Sequence, residues 1–250
     1  MSVKFYIGCH QPADARFFPH CCINYSRLRN RKYRRGFSPH KWILDAGTFA
    51  GLTPNLEEYA DAAHRWSWCG ILEAVVAPDL LCLPQYLEKT GLSVSQYQAQ
   101  TIINYDVLKK LVKTRVYVMP VLQGSNSEEY KQHLCNYGNR LSFGAWVGVG
   151  SLSGRKPDTI AAILQTIHCL RPDLKLHGFG CGKRILKHWQ NRCYLWSADS
   201  SAWSKTAQLE KLHRGCSSNH PTEASAYSFD INSFKPSMQT ELFLLSEISC

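Results

Sequence analysis

Trp42-Ile43-Leu44-Asp45-Ala46-Gly47-Thr48-Phe49 is an apolar run that stops on a carboxylate and turns at once through a glycine. A short apolar segment bounded by a turn signal is consistent with a strand buried on both faces. The same design recurs along the chain: Ala74-Val75-Val76-Ala77-Pro78 ends on Asp79, Val118-Met119-Pro120-Val121-Leu122 on Gln123, and Tyr194-Leu195-Trp196-Ser197-Ala198 on Asp199. If these runs are parallel staves of a closed barrel, their carboxyl ends open on one face, where residues distant in sequence share a pocket.

Around these runs, strands are expected at 5–8, 42–44, 72–76, 116–122, 145–149, 175–179 and 194–196. Apolar residues at three- and four-residue spacing predict helices at 56–66, 95–112, 127–137, 157–170, 184–190 and 237–248. Alternation of strand and helix favours a parallel sheet. With 250 residues, 44% of them hydrophobic, the chain suits a single α/β domain over 1–250: a (β/α)8 TIM-type barrel, somewhat abbreviated, with basic loop insertions. An open doubly wound sheet gives the same alternation. Segments 27–41 and 214–236 break the rhythm and read as excursions from the scaffold.

The 29 Lys and Arg against 19 Asp and Glu leave a formal charge of +10, which favours a polyanionic partner such as nucleic acid. Eleven cysteines, odd in number and without a C-x-x-C pair, argue against a disulfide framework and for a reducing cytoplasm. No apolar run approaches the roughly 20 residues that cross a bilayer, and the N-terminus lacks a signal-peptide core, so a soluble cytoplasmic protein without membrane contact is expected.

Asp45 at a strand mouth suits a general base or nucleophile, or else caps the following turn. Asp199 is followed by Ser200 and Ser201, whose hydroxyls can aim its carboxylate, although Asp-Ser-Ser before Ala202-Trp203 also reads as a helix start. Asp79 and Gln123 have complementary polarity for a purine edge, or satisfy loop backbone. The glycine-rich stretch from His177 to Lys183 misses the Walker spacing, with three residues between Gly178 and Gly182 and Arg184 after Lys183. No nucleophile elbow of the G-x-S-x-G type occurs.

Arg27, Arg29, Arg31, Lys32, Arg34 and Arg35 cluster with Tyr25, Tyr33 and Phe37, combining phosphate-pairing charge with flat surfaces for an unpaired strand; a merely solvated charged face is the other reading. His213, Cys216 and His220 have ligand chemistry, but a closed zinc site needs a fourth ligand, which Cys193 or Cys250 would supply only by chance of folding; no metal is required, and a structural zinc is the less favoured alternative.

The ordered set Asp45-Ala-Gly-Thr-Phe49, Pro78-Asp79, Val121-Leu-Gln-Gly124, Val147-Gly-Val-Gly150, Leu176-His-Gly-Phe-Gly180 and Asp199-Ser-Ser-Ala-Trp203 resembles the tRNA-guanine transglycosylase superfamily. The small size looks most like its deazapurine DNA transglycosylase branch, whose members insert 7-deazaguanine bases into DNA. The resemblance implies Asp199 as the nucleophile at C1′ and Asp45 as general acid/base. It implies Asp79 and Gln123 as readers of the guanine edge, Phe49 and His177 as the two walls of a base sandwich, and Gly148 and Gly150 as sources of backbone donors. The partners so implied are DNA in preference to tRNA, a free 7-deazaguanine base, and proteins that open the duplex; no cofactor is implied. The C-x-C-x-x-C zinc spacing of the tRNA enzymes is absent after Asp199, and His177 replaces an apolar base-stacking residue.

Overall fold

The computed structural model describes residues 3–48, 51, 53–113, 115–209 and 217–234. Its strands are β1 (Lys4–Gly8), β2 (His20–Asn24), β3 (Lys41–Asp45), β4 (Ile71–Val76), β5 (Tyr117–Met119), β6 (Val121–Leu122), β7 (Trp146–Val149), β8 (Lys175–Gly178) and β9 (Leu195–Ser200). All pair in parallel, in the order β5-β4-β3-β2-β1-β9-β8-β7-β6. Only Pro120 separates β5 from β6, so the two outermost strands are halves of one stave and nine strands make an eight-stave barrel. Proline has no N–H for the ladder, but its carbonyl accepts from Gly148 N at 2.8 Å, which closes the ring. The expected strand 116–122 is therefore two segments divided where the donor is missing.

Alternation along each stave sorts side chains into two cores. Inside the barrel lie Tyr6, Cys22, Ile43, Ala74, Val76, Met119 and Val121. The outward residues of the same strands, among them Phe5, Ile7, Ile23, Trp42, Leu44, Val75, Val147 and Leu176, join the larger core beneath the helices. Trp42 shows how fully β3 is enclosed: its ring is buried, edge-on to Phe37 at 5.2 Å, and its Nε1 donates to Cys69 O at 2.7 Å.

The helices are α1 (Leu56–Trp66), α2 (Pro84–Thr90), α3 (Val94–Leu111), α4 (Ser127–Tyr137), α5 (Pro157–Leu170), α6 (Lys183–Leu186), α7 (Trp189–Tyr194), α8 (Trp203–Leu209) and α9 (Pro221–Asn232). Asn55 and Asn126 cap α1 and α4, and Ser93 with Gln96 forms a capping box on α3. The β1–β2 and β2–β3 connections carry only short 3-10 turns, Pro12–Phe17 and Tyr25–Arg27, which is the abbreviation of the barrel. The expected helix at 184–190 is broken into α6 and α7. Segment 214–236 is not wholly an excursion, because α9 lies within it and sets Tyr227 against Phe5 of β1 at 6.2 Å. The expected helix at 237–248 falls outside the described residues. No described helix is long and apolar enough to cross a membrane.

Trp42→Ala should remove both the packing and the Cys69 bond. A loss of about 3–5 kcal/mol is expected for such a truncation, measured by urea unfolding; a loss below about 1 kcal/mol would show that β3 is not held from its outer face.

Candidate active site

The carboxyl ends of the staves surround a cavity of about 430 Å³ lined by Asp45, Asp79 and Asp199 together with Asn24, Arg27 and Phe179. That volume lies within the roughly 300–1,000 Å³ of small-ligand clefts. The three carboxylates come from the end of β3, the loop after β4, and β9. Tyr59 of α1 fixes the first two approaches: its buried hydroxyl lies 3.0 Å from the carbonyls of Leu44 and of Val76. The loop after β4 is held to α3 by Asn104 Nδ2 donating to Pro78 O at 2.9 Å and Leu80 N donating to Thr101 Oγ1 at 3.2 Å.

Asp45 both caps its turn and faces the cavity. Its Oδ2 accepts from Gly47 N and from Asn24 Nδ2, each at 3.1 Å. Asn24 is Asp45's register partner on β2. Sequence reasoning misses it, although Cys21-Cys22-Ile23-Asn24 repeats the pattern of an apolar run ending on a polar residue.

Asp199 receives Gly180 N at 3.2 Å on Oδ1. Ser200 does not serve it; its Oγ accepts from Ala202 N at 3.1 Å. His177, expected as a wall of the base slot, is fully buried among Tyr6, Trp146 and Phe179, with its Nε2 3.4 Å from Asp199 Oδ1. Trp146 Nε1 donates to Ser197 Oγ at 2.9 Å, and Ser197 Oγ lies 2.9 Å from His177 Nδ1. Indole N–H is only a donor, so Ser197 Oγ accepts from Trp146 and either donates to or accepts from Nδ1, while His177 Nε2 makes no hydrogen bond. His177 thus lies beneath Asp199 and outside the base slot, because β8 turns it into the barrel; Phe179, two residues on, lines the cavity.

Gln123 is also fully buried and stands behind Asp79. Ser151 Oγ accepts from Cys82 N at 3.0 Å and donates to Gln123 Oε1, which leaves Gln123 Nε2 to donate to Asp79 Oδ2. Ser151 holds a left-handed φ of 52°, a strain of order 1–3 kcal/mol. Arg155 offsets it by donating to Ser151 O and Ser125 O, both at 2.6 Å, and to Gly124 O at 3.0 Å. Neither Ser151 nor Arg155 belongs to a motif visible in the sequence. The amides of Gly148 and Gly150 are used within the barrel, on Pro120 O and Leu122 O. These glycines provide room instead: an added Cβ would meet Phe179 Cε2 at 2.3 Å or Gln123 Nε2 at 2.1 Å.

The basic segment is divided by its path. Arg27 lines the cavity, whereas Arg65, in the last turn of α1, donates to Lys32 O near the opposite end of the barrel. Without a helix between β2 and β3, this segment itself descends the barrel wall. Arg29, Lys32, Arg34 and Arg35 are exposed, but Arg31 is engaged with Tyr33 O at 3.1 Å and Arg35 O at 2.5 Å. Tyr25 and Phe37 are core residues, packed on Tyr59 and on Trp42 and Trp66, so Tyr33 alone remains as an exposed ring. Phe49, His213, Cys216 and Cys250 lie outside the described residues, and His220 caps α9. Among the described residues no group of three His, Cys, Asp or Glu is arranged to hold a metal.

Burial, then the charges of Asp199 and Asp79, pushes the Asp45 carboxyl up to about 7. Burial also pushes Asp79 up to about 6, against the Gln123 hydrogen bond that lowers it. A raised carboxyl takes up a proton on folding, so its stabilisation is complete below the ordinary value of 3.8 and is lost as pH rises through about 7. The melting temperature of Asp45→Asn should therefore fall less than that of the wild type between about pH 4 and 7. Parallel melting profiles over that interval would contradict the assignment.

A model of the family described as "DpdA: DeoxyPurine in DNA protein A" matches residues 1–231. No curated protein matches the chain. The match extends from β1 through nearly all of α9, including every stave and each carboxylate of the cavity. The chain therefore belongs to the DpdA family, which implies a transglycosylase of the tRNA-guanine transglycosylase superfamily with a nucleic-acid substrate.

Proposed function

We propose that this protein replaces guanine in DNA by a free 7-deazaguanine, such as 7-cyano-7-deazaguanine, through a covalent aspartyl-DNA intermediate. The observation that carries this reading is the meeting of Asp45, Asp79 and Asp199 in one cavity beneath an open mouth. An Asp199 oxygen attacks C1′ as the C1′–N9 bond breaks, and the electron pair goes to the guanine, which Asp45 protonates. The incoming base then loses its N9 proton to Asp45, its N9 attacks C1′, and the bond to Asp199 breaks. Oxocarbenium character at C1′ is stabilised by the neighbouring carboxylate, as in retaining glycosidases. A carboxyl near 7 exists in both protonation states at neutral pH, which suits a group that first gives and then takes a proton.

Asp79, aimed by Gln123 Nε2, accepts hydrogen bonds from the N–H edge of guanine, and Gly150 leaves space for that pair. Phe179 supplies an aromatic surface, with Phe49 as the proposed opposite wall. The target base must leave the duplex to enter, at a cost of a few kcal/mol; Arg27 at the rim favours the everted strand, the exposed cations further down the wall add only to the long-range attraction for DNA, and partner proteins open longer duplexes. We place this action in a reducing cytoplasm; the described cysteines form no disulfide with one another.

Incubation with duplex DNA should give a denaturation-resistant protein–DNA adduct that is absent in Asp199→Ala. Labelled guanine should enter DNA, and incorporation into tRNA alone would overturn the DNA assignment. Asp45→Asn should slow exchange by about 10²–10⁴-fold with DNA affinity retained; equal losses in both would remove its role in proton transfer.

A further inference from the structure

Beside the carboxylate cavity, between α6 and α8, lies a second depression of about 510 Å³. The two share Ser153, Gly180, Ser200 and Ala202 in their walls, so they are neighbouring chambers of one mouth. Their charges are opposite. Asp45, Asp79 and Asp199 line the first, whereas the second is lined by Lys183, Arg184 and Lys187 and, among the described residues, by no carboxylate.

The cations are differently placed. Lys183 Nζ pairs with Asp230 Oδ2 at 2.5 Å and sits over the Tyr227 ring, which anchors α6 to α9. Arg184 uses one Nη2 hydrogen on Arg155 O at 2.9 Å, and that bond holds the guanidinium at the rim. Lys187 is exposed, with no ion pair among the described residues. The hydroxyl of Thr206 and the backbone of Gly180 and Gly182 complete a surface in which cations and small polar groups surround an apolar patch at Ile185 and Leu209. In a barrel of this type, the loops after the seventh and eighth staves are a frequent phosphate site. Here those loops follow β8 and β9.

We infer that this depression holds the phosphodiester next to the everted nucleotide, with Arg184 and Lys187 as its counter-charges. The inference rests on the proposed function, because a nucleotide whose base occupies the first chamber must pass its backbone along an adjoining wall. The shared wall beside Asp199 leads directly to Arg184 and Lys187. These two residues thereby have a role in binding the strand and none in the bond exchange.

The test uses a duplex with the target guanine opposite a mismatch, made with either natural phosphates or a neutral methylphosphonate adjoining that guanine. Binding is titrated against salt for the wild type, Lys187→Ala, the Arg184→Gln/Lys187→Ala pair, and Lys110→Ala on the outer face of α3. The slope of log K against log salt is expected to become shallower by about 0.7–0.9 for each phosphate that the variant no longer neutralises. Lys110→Ala should keep the wild-type slope. Neutralising the adjoining phosphate should weaken the wild type and leave the paired variant almost unaffected. Equal weakening of both proteins by the methylphosphonate would overturn the inference while leaving the proposed function standing; a wild type that binds no DNA would overturn both. Lys187 makes no described side-chain bond, so its variant tests the site without disturbing α6.

Discussion

A carboxylate withdrawn from water must be given hydrogen-bond donors or take up a proton, and three such groups share one cavity in this barrel. The mouth is organised around that requirement. Asp45 takes Asn24 and the Gly47 amide, Asp79 takes Gln123, and Asp199 takes the Gly180 amide. Burial works against these donors at Asp45 and Asp79, and at Asp45 like charge adds to it. Asp45, buried and facing two like charges, is the one carried up to about 7. Burial and like charge thereby make Asp45 fit to exchange a proton at neutral pH, with Asp79 raised less, to about 6.

The supports behind these donors come from the outer layer. Tyr59, Tyr130 and Trp203 bury their rings in the core and extend a polar tip to strand-end carbonyls, at Leu44 and Val76, at Gly150 and at Gly8. An aromatic residue with one wet end suits this position, since it contributes apolar area and satisfies a carbonyl that the ladder leaves open. Arg155 does the same with three bonds across the loops after β6 and β7. α1, α4 and α8 are thus coupled to the loops that place side chains in the cavity, and truncating one of these tips would be felt at the site without touching substrate.

Much of this is legible in the sequence because the signal is local. Runs of apolar residues ending on Asp45, Asp79 and Asp199 announce both the parallel staves and the residues at their mouths. What depends on long-range placement is not legible. β2 repeats the pattern only in the three residues Cys21 to Ile23 before Asn24, between two 3-10 turns and with no following helix to mark it as a stave. The position of His177 in the chain points to the slot, yet its depth is set by the pairing of β8 with β9, which shifts register between Leu176 and His177. The basic segment is visible as composition, but composition does not report that a connection without a helix runs down the barrel wall, or that Tyr25 and Phe37 are used in the core. Gly148 and Gly150 carry the reverse problem: glycine signals close approach, without saying whether a ligand or a side chain approaches.

The arrangement of charge also answers how a protein with a formal charge of +10 can present an acidic pocket to a polyanion. The positive field is long in range and draws the strand to the surface from any direction, whereas the carboxylates act at contact. A phosphate directed into the cavity meets Asp45, Asp79 and Asp199 in a poorly solvated space where like-charge repulsion is strong; a neutral base meets acceptors for its N–H groups. The same three acids that perform the proposed chemistry therefore determine what may enter. With Arg27 at the rim and Arg184 and Lys187 in the adjoining chamber, this separation of charge favours a base inward and a backbone outward, the orientation that the proposed attack of Asp199 on C1′ requires.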